Sequence, residues 1–78
     1  MSDYTPIDCA LYSSFELAII RRQRLRIAWR TPDGTSHLAH LLPCDLQTRD
    51  HAEYLLVRSN DGTELELRLD RIIRAEPL

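Results

Sequence analysis

At 78 residues, with 44% hydrophobic residues and a net charge of −2, the chain has room for one small domain with a limited core. That charge argues against a general nucleic-acid binder, and no apolar run approaches the roughly eighteen residues of a membrane span. No signal-peptide leader is evident, so the expected setting is the cytoplasm, with Cys9 and Cys44 as reduced thiols rather than a disulfide.

The charges are unevenly spread. There is no lysine, so all ten fixed positive charges are arginines. Arg21, Arg22, Arg24, Arg26 and Arg30 crowd into one stretch, whereas the residues before them carry only the acids Asp3, Asp8 and Glu16.

Residues 1–11 read as an extended lead-in, with Pro6 steering Thr5 away from helical angles and Ile7 and Leu11 available to the core. One helix follows. Ser13 and Glu16 have the spacing of a capping box, and Tyr12 and Leu17 that of a hydrophobic staple. Phe15, Ala18 and Ile19 recur at helical spacing, and Leu17 and Ile20 widen the apolar stripe. The helix should end near Arg22 or Gln23, with arginines suiting the negative end of its dipole.

From Arg24 the period becomes two. Leu25, Ile27 and Trp29 alternate with Arg24, Arg26 and Arg30, the pattern of a strand with one buried face. Thr31-Pro32-Asp33-Gly34 is a turn. Thr35 to Leu42 is a second strand candidate, with Leu38 and Leu42 inward and Pro43 ending it. Residues 44–51 are less regular, with a bend at Asp45-Leu46. Glu53 to Arg58 is a strand running into Ser59-Asn60-Asp61-Gly62, whose Asp-Gly pair suits a primed hairpin turn. Leu65, Leu67 and Leu69 alternate with Glu64, Glu66, Arg68 and Asp70 on the return arm. Ile72 and Ile73 supply a last short strand, and residues 76–78 form a tail.

One helix and about five short strands predict a mainly β (α+β) domain over residues 1–78. The economical architecture is an N-terminal helix closing a strongly bent antiparallel sheet or small barrel.

His37, His40 and His51 lie on strand or loop segments, and their spacing with Cys44 matches no metal-binding scheme. Gly34 and Gly62 both belong to turns, so no phosphate loop exists. Neither an enzyme nor a cofactor is expected. Arg24, Arg26 and Arg30 share one strand face and, with Trp29 nearby, suit an RNA surface, arginines gripping phosphates while aromatics stack on bases. The plainer reading is a wet face whose arginines pair across strands with Glu64, Glu66 and Asp70, leaving Trp29 in the core. The acids Asp3, Asp8 and Glu16 around Tyr4 and Tyr12 suit docking of a basic partner, or simple helix capping.

As an ordered set, Tyr4-Thr5-Pro6-Ile7-Asp8-Cys9, Tyr12, Phe15-Glu16-Leu17-Ala18, Asp33-Gly34, Asp45-Leu46, Arg49, Glu53-Tyr54-Leu55-Leu56-Val57 and Glu66-Leu67-Arg68-Leu69-Asp70-Arg71-Ile72 resembles the Rho-binding antiterminator family (Rof/YaeO). The resemblance implies an Sm-like fold. It also implies a non-enzymatic inhibitor, monomeric rather than oligomeric, that binds the N-terminal region of transcription termination factor Rho and competes there with RNA. The implied contact surface comprises Asp8, Tyr12, Ser13 and Glu16 at the helix start, with Arg49, Asp50 and His51 before the Glu-Tyr-Leu strand. Ser13 stands where that family has an aspartate, and Asp50 and His51 where a lysine and an asparagine are familiar. On this reading the protein binds Rho rather than nucleic acid, and no membrane.

Overall fold

Asp8 opens the helix. Its carboxylate Oδ1 accepts the Ala10 N–H at 2.7 Å and its carbonyl accepts the Tyr12 N–H at 3.0 Å. The computed structural model describes residues 5–78, so Asp3 and Tyr4 of the acidic start lie outside the described residues. Helix α1 spans Cys9–Arg21, which places Ser13 and Glu16 inside the helix rather than at its cap. The expected capping box is therefore corrected: an aspartate one turn earlier satisfies the orphan N–H groups first. With Asp8 as cap, the staple positions become Ile7 and Tyr12, which both pack on the core, whereas Leu17 is exposed. The predicted end holds. Arg22 adopts the left-handed conformation, and the N–H groups of Arg22 and Gln23 close on the carbonyls of Ile19 and Ala18.

Five antiparallel strands follow: β1 (Leu25–Arg30), β2 (Ser36–Arg49), β3 (Ala52–Ser59), β4 (Glu64–Arg68) and β5 (Ile72–Pro77). Their order in the sheet is β4-β3-β2-β1-β5. The two edges, β4 and β5, are consecutive in the chain and joined only by the 3-10 turn Leu69–Arg71. A three-residue link reaches no further than roughly 10 Å. The sheet must therefore curl until the end of β4 lies close to the start of β5, giving the bent small barrel expected, although β4 and β5 are not paired with each other. Phe15 and Ala18 of α1 enter it beside Leu25, Ile27, Leu41, Leu55, Val57, Leu67 and Leu69, all buried.

Strand β2 departs most from the sequence reading. It runs through Pro43 instead of ending there. Its first part pairs with β1, the last pair being Leu25↔Leu41, and from Leu41 onward it pairs with β3. Pro43 thus falls where one flank of the strand is already free, a position that tolerates a missing N–H. A bulge at Cys44 shifts the register between Pro43 and Asp45 and bends the strand there. The inward face is also the other one: Leu41 and Pro43 are buried while Leu38 is 64% exposed. At the far end Asp50 and His51 form a two-residue turn between the paired residues Arg49 and Ala52, with φ of 49° and 63°. That is the primed turn of this chain. At Asp61-Gly62 only the glycine has positive φ, 88°, and Gly62 N–H bonds to Ser59 O, so this is a type I turn followed by a bulge. The expected tail is a strand as far as Pro77, which pairs with Leu25.

Candidate functional site

The arginine stretch does not form one surface. Arg24 bonds to Asn60, and Arg26 pairs across strands with Glu76 at 3.1 Å. Both lie on a wet face, although with partners other than the expected ones: Glu64 pairs with Arg58, Glu66 with Arg49 and Asp70 with Arg68. Arg30 goes elsewhere. The β1–β5 register shifts between Ala28 and Trp29, the extra residue being Ile73 on β5, while β1 stays in regular register with β2 as far as Arg30↔Ser36. Trp29 and Arg30, on opposite faces by simple alternation, both line one groove at the end of β1.

That groove, of about 280 Å3, is lined by Trp29, Arg30, Thr31 and Pro32 from the β1 end and by Tyr54, Glu66, Leu67, Arg68 and Arg71 from β3, β4 and the 3-10 turn. A second depression shares Arg30, Thr31, Pro32 and Arg71 with it and continues along Ile72 and Ile73. The aromatics are braced. Trp29 stacks on His37, its partner in the β1–β2 register, with ring centres 5.3 Å apart and planes 18° from parallel. Tyr54 carries the Arg49 guanidinium 4.5 Å from its ring centre. Arg49 is also fixed by two bonds to Glu66, Nη2 to Oε1 at 2.7 Å and Nη1 to Oε2 at 3.2 Å, which push its pKa up. Such a fork is more directional than a single ion pair.

The cations of the groove differ in kind. Arg68 is committed, with Nη2 donating to Asp70 Oδ2 at 2.9 Å and Nε lying 2.8 Å from Oδ1. The pair is nearly buried, and the Thr5 N–H adds a third bond to Asp70. Among the described residues, Arg30 and Arg71 have no acidic partner. An aromatic-walled groove with two uncommitted guanidinium groups is suited to an anion that carries a flat ring.

The residues expected to face a partner are split between two places. Tyr12 and Glu16 line a shallow groove with Ile19, Ile20, Asp45 and Leu46. Burial, then Glu53 and Glu16, raise the Tyr12 pKa. Asp8 is spent on capping, Ser13 is exposed on the helix, and Asp50 and His51 make the β2–β3 turn. Arg49 instead braces Tyr54 and Glu66 of the other groove without lining it. Sequence reasoning missed Tyr54, Glu66, Arg68 and Arg71 as site residues, because each sits in an ordinary strand pattern. The available signal was Arg68-Leu69-Asp70-Arg71, where β4 alternation breaks off at two arginines.

The fold is that of a known protein. Proteasome accessory factor B/C (PafBC) of Arthrobacter aurescens superposes with a TM-score of 0.79 at 20% identity, over 97% of this chain and 12% of that one. No curated protein matches the sequence. Residues 10–77 match the WYL domain. This overturns the resemblance to the Rho-binding antiterminators, and with it Rho as partner and inhibition of Rho as function. The shared motifs were strand and turn signals of a small barrel rather than marks of one family. Matched over nearly its whole length, the chain belongs to the WYL domain family.

Proposed function

We propose that this WYL domain is a ligand-sensing module of a cytoplasmic transcription regulator, binding rather than catalysing, and that its ligand is a single-stranded nucleic acid held in the Trp29–Tyr54 groove. One observation carries this reading: two braced aromatic rings and the uncommitted Arg30 and Arg71 converge on a groove large enough for one nucleotide. Bases stack on aromatic faces while guanidinium groups hold the backbone phosphates. The site is not the strand face of Arg24 and Arg26, whose side chains already have partners. A net charge of −2 then favours a short, local contact over broad electrostatic attraction.

Fluorescence anisotropy with labelled oligonucleotides of about ten nucleotides tests the proposal. Binding should weaken with salt, and the Arg30→Gln/Arg71→Gln double variant should flatten the plot of log affinity against log salt by about 1.4 units, two contacts at roughly 0.7 each. Arg24→Gln should change little. Absence of binding by the unchanged protein, or equal loss with Arg24→Gln, would overturn the assignment.

A further inference from the structure

Within the nucleic-acid reading just given, on which it rests, the groove contains one group that a phosphate-binding surface should exclude. Glu66 lines it between Tyr54 and Arg68. Its side chain is 46% exposed, and it lines both this groove and a neighbouring depression with Cys44, Leu56 and Glu64. A carboxylate there repels phosphate and lowers the affinity for any polyanion. It assists binding only where it accepts a hydrogen bond from the ligand.

The geometry leaves it free to do so. An ionised carboxylate offers about four lone-pair sites and no donor. The Arg49 fork occupies one site on each oxygen, at 2.7 and 3.2 Å, and holds the carboxylate in place without using its remaining sites. Arg49 is itself anchored over Tyr54, so acceptor and stacking ring are fixed relative to one another. A base stacked beside Tyr54 would therefore present its edge to a rigid acceptor.

We infer that Glu66 is a specificity-determining residue that favours bases with an exocyclic amino donor over those that carry a carbonyl oxygen at that position. Cytosine donates from its N4 amino group, and carboxylates recognise it in that way elsewhere. Thymine and uracil place the O4 acceptor at the same position, where it meets the carboxylate lone pairs. The groove accordingly prefers oligo(dC) to oligo(dT).

The experiment compares labelled oligo(dC) and oligo(dT) of equal length, about ten nucleotides, by anisotropy at neutral pH. The unchanged protein should bind oligo(dC) roughly tenfold more tightly. Glu66→Gln keeps the shape but offers both an acceptor and a donor, so oligo(dT) should gain affinity and the ratio should fall to about one. Glu66→Ala should also abolish the ratio, and circular dichroism checks that both variants remain folded. Equal affinities in the unchanged protein, or a ratio that survives in Glu66→Gln, overturn the inference while the nucleic-acid reading stands. If neither oligomer binds, that reading falls and takes this one with it. Arg30→Gln/Arg71→Gln should weaken both oligomers alike and leave the ratio intact.

Discussion

Asp33 and Asp61 do the same work at two corners of the barrel. Each accepts a hydroxyl hydrogen bond from the residue two before it, Thr31 or Ser59, and the backbone N–H of the residue two after it, Thr35 or Thr63, at 2.9 Å. Each is followed by a glycine at positive φ, 87° at Gly34 and 88° at Gly62. The hydroxyl bonds, then the backbone bonds, lower both pKa values from 3.8 to about 2. A carboxylate whose folded pKa lies below its unfolded one stabilises the fold above the unfolded value, and that contribution is lost as pH falls through the folded value. The melting temperature should therefore drop between about pH 4 and pH 2, and the Asp33→Asn/Asp61→Asn double variant should flatten that part of the profile. A profile equally steep in the double variant would remove the two turns from the acid response. These turns were legible in the sequence because Pro-Asp-Gly and Asn-Asp-Gly fix backbone angles by local chemistry alone.

At the scale of elements, local chemistry stops being sufficient. The helix and the β4 leucines followed from periodicity, whereas the helix start did not, because Asp8 and Ser13 are both acceptable caps and only packing of Ile7 and Tyr12 on the core decides between them. Leu38 and Leu41 are equally apolar, and the face that turns inward is set by the register with β1, a nonlocal fact. The groove was illegible for the same reason, since the curl of the sheet is what brings Trp29 at the end of β1 beside Arg71 of the 3-10 turn. The Asp50-His51 turn is an instructive case. Two successive non-glycine residues at positive φ are unfavourable, and Asn-Gly is the dipeptide this turn prefers. Asp50→Asn/His51→Gly should stabilise the domain by about 1 kcal/mol, equivalent to a rise of roughly 4–8 °C in melting temperature. No gain in thermal unfolding would mean that the native turn is unstrained.

For the whole molecule, the curling of the sheet that brings β4 and β5 together at the 3-10 turn also forms the groove. Leu69 is fully buried within the 3-10 turn that links the two sheet edges, and its neighbours Arg68 and Arg71 form one wall of the groove. A domain of this length has a total stability of roughly 4–12 kcal/mol. Leu69→Ala removes a buried side chain and leaves a cavity, at about 2–5 kcal/mol, a large share of that total. Leu69→Met conserves volume and should cost less than about 1.5 kcal/mol. Denaturant unfolding should therefore show a large drop in midpoint for the alanine variant and a small one for methionine. Oligonucleotide binding should follow the folded fraction in both, because neither variant touches a groove side chain. If Leu69→Ala stays folded yet loses binding, the turn positions Arg68 and Arg71 beyond what stability requires. The groove would then be a property of the turn rather than of the curled sheet.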